Sequence, residues 1–167
     1  LEKGTIDAAE WVGPYDDEKL GFYKIAKYYY YPGWWEGGPE LDLFVNIKQW
    51  EALPPEYKSI LESACAEANI DMLAKYDASN PAALKRLVGN GVQLRAFSKD
   101  IMNACYKATV DTYEEIAAKN AKFKKIYDSW KAFRDDQILW FRVTEQNFDG
   151  FMATVKSSRK ADTPAQK

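Results

Sequence analysis

The sequence predicts an α/β protein whose second half is nearly all helix. Up to about residue 97, short apolar or aromatic runs that end at glycine or proline alternate with helical patterns. Beyond residue 98, apolar residues recur at every third or fourth position, which is the spacing of amphipathic helices. Only three or four strands can be counted, so the chain cannot form a complete doubly wound sheet alone.

The first part of the chain is divided into short elements. Aromatic and β-branched runs favour strands, and Gly13-Pro14, Pro32-Gly33 and Pro54-Pro55 end them. Asp16 or Asp17 is expected to cap the first helix. The predicted elements are a strand or loop over 8–14, a helix over 17–26, a strand over 28–31, a buried strand over 41–47 and one or two helical turns over 48–53.

The second part is predicted to be helical apart from one strand. Pro55 suits the start of a long amphipathic helix, which Asn80-Pro81 is expected to break or restart and Gly89-Asn90-Gly91 to end. The elements that follow are a strand over 92–97, a helix over 99–120 capped by Ser98, helices over 121–138 and 138–155, and a polar tail over 156–167.

The composition indicates one folded domain and excludes several classes of function. The chain has 167 residues, of which 47% are hydrophobic and 15% aromatic, so it has ample material for a core. A net charge of −2 without a basic stripe gives no reason to expect nucleic acid as a partner. No histidine is present, so imidazole catalysis and histidine–metal ligation are excluded. No run approaches the ~18 apolar residues of a membrane span.

Two glutamates next to tryptophans are the candidates for chemistry. Glu10 precedes Trp11, and Glu36 follows Trp34-Trp35 within YYYYPGWWEGG, residues 28–38. If the strands that precede these glutamates are parallel, both carboxylates emerge at one sheet edge, where ligands bind in α/β folds. Two close carboxylates in an aromatic cleft share a proton or bind a cation, and Na⁺ and Ca²⁺ both prefer oxygen ligands. The tryptophans are expected to exclude water from Glu36.

Several alternatives remain open on these residues alone. The tryptophans could be core residues at a strand end, with Glu36 paired to a nearby lysine. A carbohydrate-active enzyme could use the two glutamates as acid and nucleophile, with tryptophan platforms for the sugar. The helical second half could be a purely structural dimerisation module.

The two cysteines give no sign of a site. Cys65 and Cys105 lie far apart, each within a helical pattern, and no spacing motif indicates a disulfide. Both are therefore expected to be small buried apolar residues.

The combination EW…GPYDD…YYYPGWWE resembles the solute receptors of TRAP transporters (the DctP-type family). The narrower resemblance is to the branch that binds 2-oxo acids such as pyruvate, and it extends over nearly the whole chain. It implies a bilobed periplasmic-binding-protein fold with a cleft between two α/β lobes. It also implies a periplasmic protein that hands its solute to a membrane permease and is not an enzyme.

The resemblance implies a role for individual residues. The carboxylates of Glu10 and Glu36 and the main-chain carbonyl of Trp11 correspond to the family's metal ligands, and the metal, sodium or calcium, bridges the solute to the protein. Trp11 and Glu36 thereby contact the solute as well. Trp34 and Trp35 are expected to wall the pocket because of their position.

One departure from the family concerns length. These receptors are longer than this chain, and their carboxylate-binding arginine and a metal-binding glutamine lie N-terminal to the matching region. The chain is therefore expected to be the C-terminal half of a receptor, with the N-terminal half as a partner. Residues 1–97 would contribute to both lobes and carry the cleft loops. Residues 98–155 would pack across the lobes and form a helix-swapped homodimer.

Overall fold

The computed structural model describes residues 1–161, with side chains as far as Val155. The chain divides after Asn103 into two compact units, which are described separately. In chain order, the elements are α1 (Pro14–Leu20), a 3₁₀ turn (Phe22–Lys24), β1 (Tyr28–Tyr31), α2 (Ile47–Ala52), α3 (Pro55–Gly89), β2 (Gln93–Ala96), α4 (Lys99–Lys119), α5 (Ala121–Val143) and α6 (Glu145–Ala161).

The first unit contains a two-stranded parallel sheet. β1 pairs with β2 in a register that places Tyr28 opposite Gln93 and Tyr31 opposite Ala96. Parallel strands need a crossover connection, and α2 and α3 provide it. The strands predicted over 28–31 and 92–97 are therefore confirmed. Beside them lie the most deeply buried apolar residues of this unit, Ala83, Leu87 and Val92.

Helix α1 is attached to its surroundings by three consecutive acidic residues. Each carboxylate accepts hydrogen bonds from a different donor: Asp16 from the Tyr76 hydroxyl at 2.5 Å, Asp17 from the Tyr29 hydroxyl, and Glu18 from two nitrogens of Arg86 at 2.6 and 2.7 Å. Tyr76 and Arg86 lie on α3, and Tyr29 lies on β1. The Arg86 guanidinium lowers the pKa of Glu18.

The expected break at Asn80-Pro81 is wrong, because α3 continues through Pro81 to Gly89. Proline removes one helical hydrogen bond, but tertiary contacts on both sides compensate for it. Asn80 accepts a hydrogen bond from the main-chain N–H of Tyr15 at 3.0 Å. Ala83 and Leu87, on the following turns, are 0% and 2% exposed. Packing after the proline therefore outweighs the local preference to end the helix.

Two other predictions for the first unit need correction. The helix expected over 17–26 begins earlier, at Pro14, and ends at Leu20; the next residue, Gly21, has a φ of 74°, the left-handed conformation that often follows a helix. The strand expected over 41–47 is wrong, because no strand of the described residues pairs with this segment and Phe44 is 88% exposed. Residues 8–13 form a loop, and the predicted turns over 48–53 are confirmed as α2.

The second unit is an all-helical unit with an aromatic cluster. In α5, Tyr127 is buried and its ring lies 5.4 Å from that of Tyr113 in α4. Asn120 caps α5 by accepting from the N–H groups of Lys122 and Phe123 at 3.0 Å. The predicted helices are confirmed, with α5 continuing past residue 138 to Val143.

The cysteines were expected to be buried, but neither of them is. Cys65 is exposed, Cys105 is partly exposed, and both are free thiols. Cys65 lies on the part of α3 that precedes its contact with α1, and its neighbours Ala64 and Ala66 are also exposed. The apolar stripe read from the sequence therefore does not cover a core there.

Three further points concern membrane spans, the tail and the predicted domain limits. Within the described part, no helix is sufficiently long and apolar to cross a bilayer. The tail predicted over 156–167 lies outside the described residues, except for the backbone of α6 up to Ala161. The predicted domain limits at 97 and 155 stay predictions.

Leu87→Ala should strongly destabilise the chain. Leu87 is 2% exposed, so the truncation removes buried methyl groups and leaves a cavity, which costs about 3 kcal/mol. The matched control is Leu73→Ala on the same helix, where the side chain is 63% exposed. Urea unfolding of the 167-residue chain measures both. Equal losses for the two variants would contradict the assignment of the core.

Candidate functional site

A cavity of about 1160 Å³ lies in the first unit. Three segments surround it: the loop that leads into α1, strand β1 and the loop over 33–39. Its lining is largely apolar and aromatic, and its floor includes Leu87 and Val92. The ionisable lining side chains, other than tyrosine, are those of Asp7, Glu10, Asp17, Lys27 and Glu36.

The structure brings most of the sequence-predicted site residues to this cavity. Glu10, Trp11, Trp35 and Glu36 all line it. Trp34 does not line it, but its ring stands edge-on against Trp35 with the centroids 5.5 Å apart. The indoles of Trp34 and Trp35 are 43% and 44% exposed. The expectation that they exclude water from Glu36 is therefore wrong for this chain alone.

The two glutamates line one cavity for a different reason from the predicted one. Their proximity was expected from two parallel strands ending at one sheet edge, but Glu10 lies in a loop. That loop ends where α1 begins, at Pro14, so the position of the helix determines where the loop lies. The contacts of α1 with α3 and β1 then fix its position. Helix docking, not strand order, places Glu10.

The missing side chain at Gly33 leaves room for the Trp35 ring, which lies against its backbone. A Cβ added to Gly33 would lie 3.2 and 3.3 Å from two atoms of that ring, closer than ordinary van der Waals contact. By contrast, a Cβ at Gly37 would meet nothing within 4 Å. The glycine before the tryptophan pair therefore sets where the Trp35 indole stands on the cavity wall.

The donor groups at the cavity suit a hard cation, but only in part. Neither Glu10 nor Glu36 forms a salt bridge within the described residues, so the alternative in which Glu36 pairs with a lysine is not seen there. Carboxylates and main-chain carbonyls are the ligands that Ca²⁺ and Na⁺ prefer, and Ca²⁺ takes about 6–8 of them. The described residues contain no group of three or more acidic or cysteine side chains that could hold a metal. The cavity therefore offers part of a coordination sphere.

Asp17 is a buried residue of the cavity wall that sequence reasoning did not select as a site residue. It was expected to cap a helix, but Gly13 occupies the N-cap position and Asp17 lies inside α1, 6% exposed and on the cavity wall. Burial raises its pKa, and the hydrogen bond from Tyr29 opposes that rise. Burial also raises the pKa of the Tyr29 hydroxyl. The signal in the sequence was Gly13-Pro14, since a proline at the first helical position places Asp17 in the first turn.

Comparison with known proteins gives a family match. Residues 1–120 match the family described as bacterial extracellular solute-binding protein, family 7 (DctP). A monocarboxylate 2-oxoacid-binding periplasmic protein of Nostoc sp. is 52% identical over 154 residues, which are 92% of this chain and 42% of the relative.

Two solved structures are also similar. A TRAP transporter solute-binding protein of Bordetella bronchiseptica is 49% identical with a TM-score of 0.88, over 95% of this chain and 47% of that one. It was crystallised as a mixed-occupancy dimer with copurified calcium and picolinate in one active site and the other site apo.

The second solved structure comes from Colwellia psychrerythraea. This TRAP periplasmic solute-binding protein, with bound calcium and pyruvate, is 37% identical with a TM-score of 0.83, over 89% of this chain and 45% of that one. The chain thus spans less than half the length of each of these relatives. The likeness confirms the predicted helix-rich α/β class as part of this receptor fold.

Gly33→Ala should displace the Trp35 indole. The new methyl group would overlap the ring edge, so the indole must shift by a few tenths of an ångström. The matched control is Gly37→Ala, which adds the same methyl group to open space. Tryptophan emission and near-UV circular dichroism measure the change. If both variants keep the parent spectra, Gly33 does not set the position of Trp35.

Proposed function

The chain belongs to the bacterial extracellular solute-binding protein family 7, and we propose that it binds a 2-oxo acid through a bridging calcium ion as the periplasmic receptor of a TRAP permease. The observation that carries the proposal is the shared cavity of Glu10, Trp11 and Glu36. We assign the two carboxylates and the Trp11 carbonyl to the metal, and the metal together with Trp35 to the solute.

The solute class follows from the chemistry of the relatives' ligands. Pyruvate and picolinate both carry a carboxylate next to a second donor atom, a keto oxygen in one and a ring nitrogen in the other. Each can therefore chelate one cation through two adjacent donors. A 2-oxo acid supplies this pair while the protein supplies the remaining oxygens, which fits the incomplete ligand set of the cavity.

Calcium fits the proposed site better than sodium. Two carboxylates carry a charge of −2, which a divalent cation balances. Both solved relatives hold calcium, and neither supports sodium, the other ion that the resemblance left open. The bound metal would join the solute carboxylate to a protein surface that is itself acidic.

The cavity needs further walls to enclose a small acid. Its volume of about 1160 Å³ lies above the ~300–1,000 Å³ typical of small-molecule pockets, and Trp11 is 55% exposed. We propose that an N-terminal part of the receptor closes the cavity and supplies the carboxylate-binding arginine and the metal-binding glutamine. Trp34 would then stand behind Trp35 as its support.

The function is binding and delivery, not turnover. The family consists of solute-binding proteins, so the alternative of a two-glutamate carbohydrate-active enzyme is dropped. The Nostoc relative is a periplasmic protein by name, and we propose the same compartment for this chain. Its proposed partners are the solute, the permease subunits and the N-terminal half of the receptor.

A homodimer is proposed for the second unit. The Bordetella relative crystallised as a dimer, and large apolar side chains of α5 and α6 are between 43% and 65% exposed. An apolar surface of this kind marks a protein interface, and we propose that exchanged helices cover it. The side chains are Trp130, Phe133, Leu139, Trp140, Phe141, Phe148 and Phe151.

Glu36→Gln should weaken calcium and pyruvate binding together in the complete receptor. The loss of one of two charged ligands should lower calcium affinity by at least about tenfold, and pyruvate affinity should fall with it because the metal bridges the solute. Calorimetric titrations with calcium, and with pyruvate in calcium or in EGTA, measure both.

The control for this experiment is Glu40→Gln. It removes the same charge four residues further on, at an exposed side chain outside the cavity lining, and should bind both ligands like the parent. Unchanged binding in Glu36→Gln would refute the proposed metal site.

Phe148→Glu should weaken the proposed dimer. Phe148 is 64% exposed, and its transfer out of water on association contributes about 2 kcal/mol per copy. The dissociation constant should therefore rise by at least about tenfold in analytical ultracentrifugation. Gln146→Glu adds the same charge to the same helix and serves as the control. A dimer equally stable in both variants would place the interface elsewhere.

A further inference from the structure

Asp17 is a buried acid that the proposed binding chemistry does not use. Its side chain lies on the cavity wall, and the residue is 6% exposed. One carboxyl oxygen, Oδ2, accepts a hydrogen bond from the Tyr29 hydroxyl. The other, Oδ1, is buried and has no hydrogen-bond partner of good geometry among the described residues. Burying an ionisable group costs free energy unless the group is hydrogen-bonded or paired, and here one oxygen of the carboxyl has no such partner.

The same residue follows the loop that carries Glu10 and Trp11 and lines the same cavity as both of them. The main-chain N–H groups of Gly13 and Val12 oppose the rise of the pKa of the Asp17 carboxyl. In the other direction, the main-chain N–H of Asp17 donates to the carbonyl of Gly13 at 2.9 Å. Asp17 is thus bonded through its main chain to Gly13, two residues after Trp11, and through its carboxyl to Tyr29 of β1.

The neighbouring acid provides an internal comparison. Asp16 accepts a hydrogen bond from the Tyr76 hydroxyl at 2.5 Å, so the chemistry is the same as in the Asp17–Tyr29 pair. Tyr76, however, lies on α3 and is not part of the cavity lining. One tyrosine–aspartate pair therefore attaches α1 to α3, while the other connects α1, β1 and the cavity loop.

We propose that Asp17, held by Tyr29, is a positioning residue that fixes the 10–13 loop and thereby sets where the Glu10 carboxylate and the Trp11 carbonyl meet the cation. This inference rests on the metal site proposed above. Cation ligands bind tightly when their positions are fixed before the cation arrives. Without the Tyr29 hydroxyl the Asp17 carboxyl would lose its anchor on β1, and the loop would have to be ordered by the cation itself.

The test compares Tyr29→Phe with Tyr76→Phe in the complete receptor. Each variant removes one hydroxyl that donates to an aspartate of α1 and keeps the aromatic ring. Terbium(III) is the probe, because it replaces calcium at oxygen sites and nearby tryptophans such as Trp11 sensitise its emission. Titration gives the affinity, and emission lifetimes in water and deuterium oxide report the water molecules on the ion. Melting temperature in EGTA reports stability without metal.

The expected result distinguishes an effect on the position of the metal ligands from an effect on the stability of the fold. Tyr29→Phe should bind terbium about tenfold more weakly, with additional water on the ion, because a displaced ligand leaves a coordination position to solvent. Tyr76→Phe should keep the affinity and the lifetime of the parent. Asp17→Asn should change the terbium affinity and lifetime in the same direction, since its neutral amide is a weaker acceptor for the Tyr29 hydroxyl than a carboxylate is; it takes the place of Tyr29→Phe if that variant does not fold.

Two results would overturn the inference. One is an equal change of terbium affinity in Tyr29→Phe and Tyr76→Phe, which would mean that both act through general stability. The other is parent affinity and lifetime in Tyr29→Phe. Glu36→Gln in the same assay distinguishes the levels of failure: if it too binds like the parent, the metal site itself is wrong, whereas loss of binding in Glu36→Gln alone leaves that site intact and removes only the role of Asp17.

Discussion

The attachment of α1 to α3 and β1 is the constraint on which the rest of the first unit depends. Asp16, Asp17 and Glu18 follow one another along the chain, yet their partners lie on two elements more than ten residues away in sequence. The exposed ion pair between Glu18 and Arg86 contributes little by itself. The three hydrogen-bonded acids, together with the buried Leu87, fix the orientation of a seven-residue helix that could not be stable alone. Because the loop before α1 carries Glu10, the candidate site inherits its geometry from this docking.

The site is built from two loops with different means of support. The loop with Glu10 is fixed at its C-terminal end by Asp17 and by the start of α1. The loop with Glu36 follows β1 and is shaped by the contact of Gly33 with the Trp35 ring. The buried carboxyl of Asp17 therefore supports the loop with Glu10. The missing side chain at Gly33 leaves room for Trp35, the residue before Glu36. Both Asp17 and Gly33 lie two to seven residues away from the groups that would touch a ligand.

The sequence was informative where local chemistry decides the structure. Pro55, Ser98 and the Gly89-Asn90-Gly91 stop gave helix limits that hold, and the tyrosine run gave β1. It was misleading where tertiary contacts decide. Pro81 stays in a helix because Ala83 and Leu87 are buried beyond it, and the apolar run over 41–47 is no strand because no strand of the described residues pairs with it. Glu10 and Glu36 could be selected from motif resemblance, but Asp17 could not, since its burial depends on a tyrosine twelve residues away and on α3.

The incomplete ligand set has a consequence for how the receptor would bind. A cation held by two carboxylates and one carbonyl still has open positions, which a chelating solute can fill. The solute in turn meets an acidic wall that repels its carboxylate unless the cation is present. Each ligand then raises the affinity of the other, and linkage requires the two effects to be equal. A cavity with its own complete cage would bind metal whether or not solute was present. The sparse donors of this cavity would instead make the solute part of the metal site, so that each ligand would bind more tightly in the presence of the other.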